Sequence, residues 1–451
     1  MAYKPYIQNH ILHLDGLGLD SPTINAINSA LAQISAALDG KQVKLVSGSN
    51  IKTINGQSLL GSGNLFIGGG SGGEGVWMEN PEYVYCIVDA NDYIIWAIRE
   101  DSTIVSAFDD DYNHISPNRD ILELNPTKDV EYILAKLHNR LYNEGKVTHN
   151  TATFLWFSDL HGDATNLQRI KKFYQQYSQF FDGVISSGDQ IMQKITDDWS
   201  WWDFDEAMLC LGNHEVWYNL TDKEINPAPQ LDCYNKYFSN IAKWNVVQPS
   251  GAASNGYCYY YKDFGAVRLI AIDQMHWDTT QATWFTNTLS SAKTASKTVV
   301  VMGHFACGDH ANFHFDNTCG GFTTIETQGV GDSPNTTVKA GWIEQESILK
   351  TWIDGGGKFA VWLAGHTHND FVGTSDQGIP CVVMEQSTCE RSNSDARIFG
   401  TKSQDSFNVI TIDTYNNMFY IARIGNDVDK MMRSKKFLCY DYINKQTINH
   451  N

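Results

Sequence analysis

Between Thr153 and Ala364 six apolar runs each stop at a polar residue or cluster, and that rhythm limits what the chain can fold into more than any other feature. The runs are Thr153 to Ser158, Gly183 to Ser187, Ala207 to Leu211, Val267 to Ile272, Thr298 to Met302 and Phe359 to Ala364. Helical stretches alternate with them, which predicts an α/β domain. Five clusters follow: Asp159-Leu160-His161, Gly188-Asp189, Gly212-Asn213-His214-Glu215, Gly303-His304 and Gly365-His366-Thr367-His368. Strand ends of this kind are where open α/β sheets place their sites.

Each cluster offers an oxygen or imidazole ligand, and none offers a cysteine. Carboxylate, amide oxygen and imidazole together suit divalent first-row cations such as Mn, Fe, Ni or Zn. A lone Asp-x-His or Gly-Asp after a strand is more often a satisfied turn than a ligand. All five in one order point instead to a metal centre. The glycines before Asp189, Asn213, His304 and His366 let the backbone turn sharply, so that the next side chain leaves the strand end. Two cations held close together can acidify a shared water and clamp phosphoryl oxygens, and a carboxylate between them reduces their repulsion. A histidine of near-neutral pKa is then a natural proton donor to an alkoxide leaving group.

This ordered set resembles the calcineurin-like metallophosphoesterase superfamily over roughly Thr153 to Asp413. The resemblance implies a two-sheet sandwich flanked by helices, with the metal site at the strand ends. By position, Asp159, His161 and His368 would hold one divalent metal ion, and Asn213, His304 and His366 the other. Asp189 would bridge the two. His214 matches a non-ligand histidine that protonates the leaving oxygen or stabilises the phosphoryl transition state, so His214 and Asp189 are the expected catalytic residues. Glu215 is expected to orient the His214 ring or else to make a solvent contact. Asp273, Gln281 and Trp284 fit structural positions of the same family. Asp189 is followed by Gln190-Ile191, without the Arg-Gly of protein serine/threonine phosphatases, which disfavours that subgroup.

Outside this region the sequence reads as a string of small elements. Residues 1–40 hold a helix opened by Ser21-Pro22, with Ile24, Ile27, Leu31, Ile34 and Leu38 on one seam, which predicts a short, preferably trimeric, coiled coil. Residues 41–76 are a Gly-punctuated β motif ending in the linker GGGSGGEG. Together these segments resemble parts of bacteriophage tail fibres and other tail proteins. Residues 77–126 read as a small β module, with YVYCIVD and YIIWAIR forming a hairpin across Ala90-Asn91-Asp92. A connecting helix is expected over 127–149, from Val130, Leu134, Leu137 and Leu141 at helical spacing. The catalytic domain is assigned to 150–425 and a C-terminal tail to 426–451.

Within that domain, Phe305 to Gly341 is an insertion expected to cover the metal cleft. Its Cys307, His310, His314 and Cys319 make a second zinc site conceivable, although the spacing matches no standard finger. Asp197 to Asp203 (DDWSWWD) and Trp217-Tyr218 offer rim aromatics for sugar stacking or, more commonly, packing.

The net charge of -18 repels phosphate backbones, so long nucleic acids are unlikely ligands. The nine cysteines contain no CxxC pair and an odd number cannot all pair, which suggests a reducing compartment. No signal peptide or membrane span is expected. The function so expected is a dinuclear-metal phosphodiesterase or phosphatase on a phage tail protein, acting on a phosphorylated small molecule or host surface glycopolymer. It would assemble in the host cytoplasm beside other virion tail proteins as a homotrimer. The alternatives are a non-catalytic receptor-binding tail module and an intracellular nucleotide phosphodiesterase or nuclease.

Overall fold

A computed structural model describes residues 150–192, 194–217, 228–309, 313–315, 336–388, 405–425 and 437–448, together with seven short strands before Asn150. The chain divides into two units, residues 1–66 and 67–451. In the first, β1 (Tyr6–Gln8) and β2 (Ile11–His13) form an antiparallel hairpin. In the second, β3 (Val76–Trp77), β4 (Tyr85–Val88), β5 (Ile94–Ile98), β6 (Ile104–Ser106) and β7 (Leu122–Glu123) make an antiparallel five-stranded sheet in chain order. The expected coiled coil over residues 21–38, the Gly-rich motif and the 127–149 helix lie outside the described residues.

The catalytic region is built on two seven-stranded sheets. The first begins with β8 (Thr151–Phe157), β9 (Gly183–Ser186) and β10 (Ala207–Leu209), which are parallel neighbours. On the other side of β8 it continues antiparallel through β18 (Ser406–Asp413), β19 (Met418–Gly425), β20 (Phe437–Asp441) and β21 (Gln446–Thr447). The second has the order β11 (Tyr260–Phe264), β12 (Val267–Ala271), β13 (Thr298–Met302), β15 (Lys358–Ala364), β17 (Pro380–Val383), β16 (Phe371–Thr374) and β14 (His314–Phe315). All six apolar runs of the sequence are strands, within a residue or two of their expected limits. β20 and β21 extend the first sheet past Gly425, where the sequence reading ends the domain.

The strands are apolar because both faces are covered. Phe154, Trp156, Val300, Val361, Leu363 and Ile410 are wholly buried in one shared core. Ile270, Val299, Val301, Trp362 and Phe285 form a second core on the outer face of the second sheet. Phe285 belongs to α3 (Thr279–Thr294), which packs beside β13 and α4 (Thr336–Asp354), while α1 (Ala164–Gln176) packs through Phe173 on Phe407 of β18. α1 and α3 start where Asp163 and Asp278 accept the amides of Asn166 and Gln281 through their side chains, the usual N-cap arrangement. No helix among the described residues is long and apolar enough to cross a membrane.

The 305–341 insertion departs from expectation in part. Thr336 already begins α4, while residues 310–312 and 316–335, with His310, Cys319 and the expected cover of the cleft, lie outside the described residues. Cys307 is buried in the second core, whereas His314 is 68% exposed on β14, and the two do not converge on a metal. Trp199, Trp201 and Trp202 pack on one another and on Phe157 and Tyr237, which makes the DDWSWWD stretch a packing element. Of the nine cysteines, the six whose side chains are described are buried and outside any disulfide.

Candidate metal centre

Both sheets end at one place. After β8 come Asp159 and His161, after β9 Asp189, and after β10 the short helix α2 (Asn213–Val216) with Asn213 and His214. From the second sheet, His304 follows β13, and His366 and His368 follow β15. The loops are stitched by backbone bonds from Asp159 N to Gly188 O (2.9 Å), His161 N to Asp189 O (3.1 Å) and Gly365 N to His304 O (2.9 Å). The two carboxylates, Asp159 and Asp189, are held by amides of the other loops. His366 N donates to Asp159 at 3.1 Å, and His214 N donates to Asp189 Oδ1 at 2.9 Å.

The backbone is bent to do this. Of nine non-glycine residues with positive φ among the described residues, five are Asp159, His161, Asp189, His366 and His368. Left-handed conformations cost L-residues free energy and persist where the surroundings fix them, commonly at functional sites. The preceding glycines serve mainly a different purpose from the turning expected of them. Only Gly188 among the four has positive φ, at 104°. At Gly212 a Cβ would lie 2.1 Å from Asp189 Oδ1, at Gly303 2.5 Å from Gln274 Oε1, and at Gly365 2.3 Å from Asp159 Oδ2. Those three glycines leave room for the ligands or their supports.

Three groups of side chains bring their ligand atoms within 4.8 Å of one another: Asp159, His161 and His368; Asp189, His304 and His366; and His161, Asp189 and His214. In the first, His161 Nε2 and His368 Nε2 are 2.9 Å apart, and Asp159 Oδ1 is 3.4 Å from His368 Nε2. In the second, His304 donates from Nδ1 to Ser187 O at 2.7 Å. That bond leaves a neutral His304 with only a lone pair at Nε2, facing Asn213 Oδ1 at 3.0 Å and Asp189 Oδ2 at 3.1 Å. Three acceptors aimed at one point need a proton or a metal ion between them. His214 joins the third group through Nε2, 3.7 Å from Asp189 Oδ2, because its Nδ1 is committed to Met192 O at 2.6 Å.

The electrostatics favour the same reading. Burial, and then His368 and His214 beside it, hold His161 well below the usual imidazole range, so it presents a neutral ring. Burial and His304 hold His366 down to about 3. Burial works against a proton on His304, but the Asp189 carboxylate outweighs it and lifts His304 to about 9. Burial opposes ionisation of Asp189 too, yet His304 and His214 bring it well below the carboxylate range. The site is therefore an anionic oxygen and imidazole cage that attracts positive charge. The donors fit divalent cations of borderline softness.

Glu215 does neither thing expected of it. Its carboxylate is buried and accepts four backbone amides: Asp189 (2.9 Å) and Gly212 (2.7 Å) on Oε2, Gln190 (2.8 Å) and Ile191 (3.1 Å) on Oε1. It thus shapes the Asp189 loop. Burial and Asp189 push it up to about 7 against those donors. The side chain packed on the His214 ring is instead Trp217, with centroids 4.4 Å apart. Gln281 braces the end of β12, its amide exchanging two 2.8 Å bonds with the Asp273 backbone, and Trp284 packs on Tyr259. Tyr218 lies outside the described residues.

Residues 152–370 match the family model of calcineurin-like phosphoesterases. No curated protein matches the chain in sequence. Among solved structures, a dimetal phosphatase from Danio rerio is 12% identical, with a TM-score of 0.39 over 61% of this chain and 96% of that one. A Plasmodium protein described as the anchor in the inner membrane complex is 14% identical, with a TM-score of 0.36 over 67% and 90%. A Staphylococcus aureus structure described as a 5'-nucleotidase is 13% identical, with a TM-score of 0.34 over 63% and 57%.

Proposed function

We propose that this chain, a metal-dependent phosphoester hydrolase through its calcineurin-like metallophosphoesterase domain at residues 152–370, works with two divalent cations and uses His214 as its acid. One observation carries the reading. Six His and Asp side chains from four strand ends of two sheets place their donor atoms in overlapping groups, and Asn213 Oδ1, from a fifth strand end, lies against His304.

Asp159, His161 and His368 would hold one cation, and Asn213, His304 and His366 the other, with Asp189 between. Cations bound there supply Lewis-acid activation of water and neutralise charge on the phosphoryl group. The chain's own residues do the rest. The Met192 carbonyl fixes Nδ1 of His214 as the protonated nitrogen, so a second proton can sit only on Nε2, the nitrogen that faces Asp189. From that atom the imidazolium gives a proton to the departing alkoxide or stabilises the charge that develops on it. Glu215 keeps the Asp189 loop in its left-handed bend, and the Ser187 carbonyl fixes the tautomer of His304. Elemental analysis with a panel of phosphomonoesters and phosphodiesters tests this. Two cations per chain and turnover abolished by chelation are expected, and activity that survives complete metal removal would refute it.

The finer reading is that the domain is carried on a phage tail protein as a homotrimer, and trims phosphorylated polymer on a host surface among other tail proteins. It is supported by the seam from Ile24 to Leu38 and the Gly-punctuated stretch that follows. Three weak sites on one stalk would hold a polymer surface longer than one. Light scattering should then give a trimer for the full chain, and a monomer would remove the tail reading.

A further inference from the structure

We propose that Arg423 is a positioning residue of the metal centre, tying the sheet that bears Asp159 and His161 to the sheet that bears His366 and His368. The inference rests on the two-cation reading above and adds a residue from a strand that carries no ligand.

Arg423 lies on β19. Asn408 of β18 pairs with Arg423 on one side and with Trp156 of β8 on the other, which sets the arginine level with the end of β8 that leads to Asp159. Its side chain is wholly buried and crosses to the second sheet. Nη2 lies 2.7 Å from Asp370 Oδ1 and Nη1 lies 2.6 Å from Glu385 Oε1. Nε donates to Asn408 Oδ1 at 2.8 Å, and Ser406 Oγ lies between Nη1 and Glu385.

Those two carboxylates are joined to the ligand loops. Asp370 is two residues beyond His368, and its Oδ1 also accepts the amide of Glu385 at 2.9 Å. Two residues beyond Glu385, Ser387 donates its amide to Ser158 O at 2.9 Å and accepts the Ser158 amide on Oγ at 3.2 Å. Ser158 precedes Asp159. A path of short chain segments joined by hydrogen bonds therefore runs from His368 through Asp370, Glu385 and Ser387 to Asp159, and Arg423 clamps its middle. Asp159, His161 and His368 come from different sheets but must meet at one cation, so the spacing of the sheets at this edge decides whether they do. A planar fork with five donors can hold two carboxylates and an amide oxygen in fixed directions, which a lysine point charge cannot. Replacing a whole buried ion group by neutral residues often leaves stability little changed, whereas removing one partner does not.

The test separates positioning from stability. The triple variant Asp370→Asn, Glu385→Gln, Arg423→Met removes all three buried charges together, and Arg423→Lys keeps the charge without the fork. Both are made in the full chain, melted by circular dichroism, and titrated with Mn(II) and Zn(II) by calorimetry. The expected result is cooperative melting with one of the two cations bound about 10–100-fold more weakly, the range seen when outer partners of metal ligands are lost. Either variant folding cooperatively and binding both cations as tightly as the parent overturns the proposal, even if its melting temperature falls. A parent chain that takes up fewer than two cations overturns the two-cation reading itself, and Arg423's role with it.

Discussion

Replacing Glu215 by Gln changes one atom of a side chain whose partners are all backbone, so its effect can be worked out closely. The carboxylate accepts two amides on each oxygen: Gln190 and Ile191 on Oε1, Asp189 and Gly212 on Oε2. In the variant one oxygen becomes an NH2 group, which can only donate. Whichever way the amide is turned, two buried N–H groups lose their acceptor and face a donor instead. Each buried donor left unsatisfied costs about 1–3 kcal/mol, so the substitution should destabilise by about 2–6 kcal/mol. At about 2–4 °C per kcal/mol for a domain of this order, the midpoint should drop by roughly 4–24 °C. The same change on a solvent-facing glutamate stays within about 0.5 kcal/mol. Thermal unfolding followed by circular dichroism, with and without added Mn(II), measures the difference. A Glu215→Gln variant that melts within about 1 °C of the parent would refute the claim that this carboxylate shapes the Asp189 loop.

Three other outcomes follow from the site. His214→Ala should keep both cations and lose turnover by about a hundredfold or more; the loss should be larger for alkyl than for nitrophenyl esters, and equal losses would argue for charge stabilisation over proton donation. His304, lifted to about 9, carries a proton below that pH in the cation-free protein, whereas His161 and His366 are held low and carry none. Cation binding near pH 7.5 should therefore release close to one proton from His304 and tighten as pH rises toward about 9. Calorimetry in buffers of different ionisation enthalpy reads that proton, and none released would contradict the assignment. Gly365→Ala would put a Cβ 2.0 Å from Ser158 Oγ and 2.3 Å from Asp159 Oδ2. Overpacking of this kind costs about 1–3 kcal/mol; loss of a cation is expected with it, and undiminished metal content would refute the steric argument.

The candidate ligands were legible because each sits beside the strand that delivers it. An apolar run that ends in Gly-Asp or Gly-His states both the element and its chemistry within ten residues, and all seven expected ligand residues lie at the junction of the two sheets. What was not legible depends on distant partners. β18 pairs with β8 across some 250 residues of sequence, and its strand carries no polar cluster to mark it. Arg423 reads locally as one charge in an apolar strand; only the pairing of β18 with both neighbours reveals where it points. Glu215 follows His214 and so invites a role toward that ring, but the first turn of α2 carries it back to the amides of the Asp189 loop. Cys307 and His314 are close in sequence, yet one faces the second core and the other solvent.

The same comparison explains why the centre is held by so many residues that bind nothing. Five of its residues have left-handed backbones, and two Nε2 atoms, of His161 and His368, stand 2.9 Å apart. Crowded in this way, carboxylates and imidazoles favour positive charge among them, which the His304 proton supplies in the cation-free protein and a cation would supply in its place. A flexible chain would relax that crowding by letting the loops part. Here the loops cannot part, because Asp159 is bound to the His366 amide, Asp189 to the His214 amide, Glu215 to four amides and Asp370 to Arg423. Such convergence would favour affinity, since a cation displacing the His304 proton would not first have to order its ligands. Ligand identity alone would give a site that binds metal. The rigid second layer is what keeps the donors of two separate sheets at one spacing, which phosphoryl transfer between fixed charges requires.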